Sequence, residues 1–105
     1  MIPCVCFIQE GQIADHVQAT LKAKLDAFAQ DTFNQPAQQT WITVGKGDGF
    51  TEAKPSTSSI VSVHANSPLD QDKRAELLKD LCDMWVAETG CSLNEIVATI
   101  NDPQA

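Results

Sequence analysis

Positive charge is scarce in this chain: seven Lys and Arg stand against fourteen Asp and Glu, a formal net charge of −7 over 105 residues. A surface that negative repels phosphate backbones and anionic lipid, so neither nucleic acid nor membrane is expected as a partner. No apolar run approaches the length of a membrane span. The stretch before Gly11 carries no basic segment of the kind that opens a signal peptide. A soluble protein of the cytoplasm is the expectation. There is no C-x-x-C pair and no G-x-x-x-x-G-K-[ST] loop, which argues against a zinc knuckle and a phosphate loop.

What the chain does contain is short apolar segments in a regular order. Its length suits one domain spanning 1–105. Cys4 and Cys6 alternate with Val5 and Phe7 in MIPCVCFI, which places both thiols on one face of a strand. C-x-C in a strand is poor geometry for converging on one ion, so these read as small buried hydrophobes, with Cys82 and Cys91 outside any disulfide pattern. No metal and no cofactor is expected.

Periodicity predicts a strand from Pro3 to Gln9 and a helix from Ala14 to Thr32, with Val17, Leu21, Leu25 and Phe28 on one stripe. A second strand is predicted over Gln39 to Gly45. The order then repeats. Ser58 to Ala65 alternates as a strand, and Asn66-Ser67-Pro68 signals a helix start. Leu77, Leu78, Leu81, Met84 and Trp85 form the second stripe, Gly90 stops it, and Asn94 to Asn101 supplies a last strand. An offset of about 56 positions lays Leu21 and Leu25 on Leu77 and Leu81. It also lays Val5 and Phe7 on Val61 and Val63, and Thr43 and Val44 on Thr99 and Ile100.

The fold expected is therefore α+β (α/β in its local order): a tandem β-α-β repeat forming a four-stranded mixed sheet with two helices on one face. Repeat one spans about 1–45, a loop 46–57, and repeat two about 58–105. Ile2, Cys4, Cys6 and Ile8 face away from Val5 and Phe7, so both faces of the sheet are apolar and two helices cover only one. Oligomerisation is the economical way to bury the other. The loop KGDGFTEAKPST holds Lys46 and Lys54, two of the few cations, and is expected to touch a ligand.

A tandem β-α-β pair of this length, with proline at the start of strand one, resembles the tautomerase superfamily, the group of 4-oxalocrotonate tautomerase and macrophage migration inhibitory factor (MIF). SVHANS at 62–67 and NQPAQQTWITV at 34–44 resemble that family's strand-to-helix and helix-to-strand turns. The resemblance implies a trimer and a small anionic keto or enol acid as substrate. It further implies a proline amine, held neutral by an apolar pocket, that moves a proton between an enol oxygen and a carbon α to a carbonyl. On that pattern Pro3 is the catalytic candidate, with Lys46, Lys54 and His64 as substrate-binding candidates.

The match departs at its centre. Pro3 follows Met1 and Ile2, so its nitrogen is an amide without a basic lone pair. The dehalogenase-type members carry an arginine pair at the start of the second helix, where this chain has Pro68, Asp70 and Gln71, and a tyrosine that this chain lacks altogether. Hydrolytic dehalogenation is not expected. Two functions stay open: an isomerase of the tautomerase type, and a catalytically impaired trimeric binding or scaffold protein. A third reading, a ferredoxin-like regulatory module, shares the element order. An antiparallel sheet would support that one, and parallel strands within each repeat the other two.

Overall fold

The computed structural model describes residues 1–103. Strand β1 (Ile2–Gln9), helix α1 (Asp15–Phe33) and strand β2 (Ala37–Val44) form the first repeat. Two-residue strands β3 (Phe50–Thr51) and β4 (Lys54–Pro55) make a small hairpin between the repeats. Strand β5 (Ser59–His64), helix α2 (Gln71–Thr89), a single 3-10 turn at Leu93–Glu95 and strand β6 (Ile96–Asn101) form the second. The main sheet has the order β2-β1-β5-β6. β1 pairs with β2 and β5 with β6 in parallel, while β1 and β5 meet antiparallel. Parallel pairing inside each repeat excludes the ferredoxin-like reading.

The helices follow the 56-residue offset throughout. Leu21, Leu25 and Ala29 on α1 are buried, as are Leu77, Leu81 and Trp85 on α2. Both helices end on a residue in the left-handed region, Asn34 at φ 56° and Gly90 at φ 75°, which satisfies a last-turn carbonyl. The beginnings differ. Asp70 caps α2 by accepting a hydrogen bond from the Lys73 backbone N–H at 2.8 Å, whereas Ala14 offers α1 no side-chain cap. Helix α2 therefore starts after Pro68 rather than with Pro68 in its first turn, because the carboxylate at Asp70 supplies the cap.

The strands do not follow that offset. Cys4 opposes Val63 and Cys6 opposes Val61, and all four lie buried beneath the helices. Val5 and Phe7 oppose Ser62 and Ile60 on the other face. The equivalence of β1 to β5 is thus 57 residues, laying Cys4 and Cys6 on Val61 and Val63, and that of β2 to β6 is 59, laying Ala37 on Ile96. The expected match of Val5 and Phe7 to Val61 and Val63, and of Thr43 and Val44 to Thr99 and Ile100, is overturned. A slip of one residue exchanges the two faces of a strand.

The core lies between the sheet and the helices: Ile2, Cys4, Cys6 and Ile8 from β1, Val61 and Val63 from β5, Ile96 and Ile100 from β6, with the helix stripes above them. Trp85 is buried and stacks on Trp41 of β2 at a centroid distance of 5.9 Å. Burial pushes the thiols of Cys4 and Cys6 up to about 11 and about 12, Cys4 further by the Asp26 carboxylate and Cys6 by its neighbour Cys4. They are inert apolar filler, as expected.

Candidate functional site

The uncovered face of the sheet is ordered in rows, because the register carries each position across all four strands. Pro3 pairs with Gln38, and His64 pairs with Asn101. One step beyond the Cys4–Val63 pair sets Pro3 opposite His64. The first row is therefore Gln38, Pro3, His64, Asn101, all four exposed. Strands stand about 4.8 Å apart, so the row is about 14 Å long, enough for a small acid. The second row is Thr40, Val5, Ser62, Thr99, with the Ser62 and Thr99 hydroxyls hydrogen-bonded at 2.7 Å. The third is apolar: Ile42, Phe7, Ile60 and Val97, of which Val97 is 51% exposed. Beyond it the hairpin brings up Phe50, and a cleft of about 390 Å³ lies among Phe7, Val44, Phe50, Ile60 and Val97.

Two of the four candidates named from the sequence, Pro3 and His64, are thus brought together. Lys46 and Lys54 are not. Lys46 follows β2 and its backbone N–H donates to the Glu10 carboxylate at 3.0 Å, while Lys54 opens β4 opposite Thr51. Both sit at the Gln9 end of β1, six residues from Pro3, or about 20 Å along the strand. Within one chain neither lysine shares a site with Pro3.

The environment of Pro3 bears on its nitrogen. Ile2 is 0% exposed, and its backbone N–H donates to the Pro36 carbonyl at 2.8 Å. Freeing the Pro3 amine means removing a core side chain and a hydrogen bond that ties β1 to the start of β2. Large-to-small core substitutions of this kind cost about 2–5 kcal/mol.

Sequence reasoning missed Gln38 and Asn101, which join the row only through register, and it missed the part Arg74 plays at this end of the molecule. The Arg74 guanidinium donates to the Asp102 carboxylate just past β6, and to Gln71 Oε1 at 2.7 Å. Asp70 is taken up by its cap, and the Asp102 carboxylate, its side chain 7% exposed, also accepts from the Leu69 backbone N–H at 2.7 Å. This pair fastens the start of α2 to the end of β6, at the same end of the molecule as His64. His16 lies exposed in the first turn of α1.

Among the described residues no cluster of three or more His, Cys, Asp or Glu side chains is arranged to hold a metal ion, and no helix is long and apolar enough to cross a membrane.

Neither a protein-family model nor a curated protein matches the chain. Solved structures do. Native Ps01740 superposes with a TM-score of 0.87 at 19% identity, covering 98% of this chain and 95% of that one. A fused 4-OT, solved as a symmetric trimer, superposes at 0.82 with 13% identity, covering 96% and 85%. Pt0534, solved after inactivation by 2-oxo-3-pentynoate, superposes at 0.83 with 13% identity over the same shares, 96% and 85%. A member of the cis-3-chloroacrylic acid dehalogenase family and a MIF-like protein of Entamoeba histolytica are similar as well. The chain has the fold of the tautomerase superfamily, as its sequence resemblance implies.

Proposed function

We propose that the chain is a tautomerase-type isomerase that moves a proton between the keto and enol forms of a small carbonyl acid, working as a homotrimer. The observation that carries this reading is the row at the Pro3 end of the open face, where an imidazole and two amides flank the strand-opening proline. The fused 4-OT is a trimer, and the apolar row of Ile42, Phe7, Ile60 and Val97 is a surface that such an assembly would cover. In that arrangement Lys46 or Lys54 of one copy reaches the Pro3 row of the next and binds the substrate carboxylate, which answers their separation within one chain.

The burial of Ile2 favours a second reading. With Pro3 locked as an amide, the chain is an impaired member of its fold that serves as a trimeric binding or scaffold protein. A keto–enol assay with phenylenolpyruvate separates the two. The full chain and a variant lacking Met1 and Ile2 are compared, with sedimentation to establish the mass of each. Turnover by either form supports the isomerase; a folded trimer that turns over neither as written nor trimmed supports the scaffold. A monomer at assay concentrations overturns the trimeric part of both.

A further inference from the structure

In the untrimmed chain the proton needs another carrier, and the open face offers one. We infer that His64 is the catalytic base of this site, Pro3 serves as its rigid apolar wall, and the amide of Asn101, directly beside the imidazole, binds the oxygen that becomes negative. This rests on the isomerase reading and deepens it.

The chemistry follows from the row. The imidazole of His64 is the one side chain in the row able both to take and to return a proton. Pro3 cannot, since its nitrogen is acylated by Ile2, and Ile2 is anchored by its burial and by its bond to Pro36. A small enol acid lying across the row places its hydroxyl between the Asn101 amide and the imidazole, with its carbon also within reach of the imidazole. The imidazole nitrogen takes the enol O–H proton, and that electron pair closes the C=O bond. The C=C pair then takes the same proton from the imidazolium onto carbon. No electrons or atoms enter or leave, so no cofactor is required. The neutral N–H donors of the Asn101 amide stabilise the enolate oxygen between the two transfers, and Gln38, across Pro3, is left to the far end of the acid. The lysines, when present from another copy, are left to hold the carboxylate.

His64 faces Pro3 on the neighbouring strand, one step beyond the Cys4–Val63 pair, and lies directly beside Asn101, with facing Cβ atoms about 5 Å apart in such pairs. Strands rather than loops hold all four side chains. Their spacing is therefore fixed by the ladder, which is what positioning of a proton carrier demands.

The test uses the full chain and phenylenolpyruvate. His64→Ala is expected to lower kcat by roughly 10²–10⁴-fold, with KM changed by only a few-fold, and added imidazole to restore part of the loss. His16→Ala, on the exposed start of α1, serves as the control and keeps full activity. A second readout does not depend on turnover. 2-Oxo-3-pentynoate is an electrophilic alkynyl ketone, and His64 should add to its β-carbon, with a proton taken up at the α-carbon. Peptide mapping is expected to find that adduct on His64 and none in His64→Ala. Three results overturn the inference while leaving the isomerase standing: full activity in His64→Ala, an adduct on a cysteine alone, or activity confined to the chain trimmed to Pro3. A chain that neither turns over nor is labelled, trimmed or untrimmed, overturns the isomerase reading and His64 with it.

Discussion

The two ends of the open face occupy the same place in the scaffold. The approximate two-fold that relates the repeats carries Pro3 onto Ile60 and Phe7 onto His64, and likewise Gln38 onto Val97 and Ile42 onto Asn101. Strand order and pairing are therefore alike at the two rows, which differ in that the β3–β4 hairpin lies beside the apolar one. One row is an imidazole, two amides and a proline; the other is four apolar side chains. Since the fold tolerates an apolar row in this environment, the polar one is not dictated by folding. On the function proposed above, its residues serve chemistry at one end, and those of its twin meet another copy of the chain at the other.

The strongest way to break this near-symmetry is in the core behind the rows, where α2 buries Trp85 at the position that Ala29 takes on α1. Trp85→Ala should cost about 3–5 kcal/mol in urea unfolding, because it opens a cavity and removes the stack on Trp41. Ala29→Gly should cost only about 1 kcal/mol, the helix-propensity difference. Trp85→Phe sharpens the contrast. The indole N–H is buried without a partner, so losing it offsets part of the lost packing, and Phe is expected to fall well short of the alanine loss.

At the rows themselves, the comparison predicts opposite responses to the same kind of change. Ile60→Asp places a charge in the apolar row and should dissociate the assembly in sedimentation, with helical content by circular dichroism retained. Burying such an aliphatic side chain is worth about 1.5–3 kcal/mol, and a buried unpaired charge reverses more than that. His64→Phe, which makes the polar row resemble its twin, should leave the assembly intact and abolish turnover. An unchanged mass for Ile60→Asp would remove the case for an interface on this face.

Helices were legible in the sequence and the faces of the strands were not, for a physical reason. A helix buries one stripe in 3.6 residues, so Leu21, Leu25, Leu77 and Leu81 fix both orientation and offset. In β1 the even set (Ile2, Cys4, Cys6, Ile8) and the odd set (Val5, Phe7) are both apolar, and hydropathy cannot say which faces the helices. The hairpin of β3 and β4 was hidden because its turn uses Glu52 and Ala53 at φ 54° and 60°, where Asn and Gly would have signalled it. Pro3 and His64 were each visible as candidates. Their adjacency is a property of antiparallel pairing between residues 61 positions apart, which no local pattern carries.

The covered face carries a pH response in its two buried thiols. Cys4 and Cys6 ionise well above the ordinary 9.0 while folded, at about 11 and about 12. Unfolded chains lose those protons first, so stability is fully present below about pH 9 and falls as pH rises through 11 and 12. The slope is at most about 1.4 kcal/mol per pH unit for each thiol. Urea midpoints at about pH 8 and about pH 10 should show the decline, and a Cys4→Ala, Cys6→Ala chain should show less of it. A slope unchanged in that double variant would assign the alkaline loss to other groups.

The smallest difference between the repeats lies at the helix starts, and it is the easiest to exchange. Asp70 gives α2 a carboxylate acceptor for the Lys73 N–H, while Ala14, at the equivalent place, leaves the first N–H groups of α1 without a side-chain partner. Asp70→Ala should destabilise by about 1 kcal/mol, and Ala14→Asp should stabilise by about 0.5–1 kcal/mol, since both positions have extended backbone suited to a cap. Asp15 already sits in the first turn of α1, and a second carboxylate beside it reduces the gain, so Ala14→Ser is the cleaner exchange. If Ala14→Ser leaves the urea midpoint where it was, the start of α1 is already satisfied by solvent, and the two repeats differ there in sequence but not in energy.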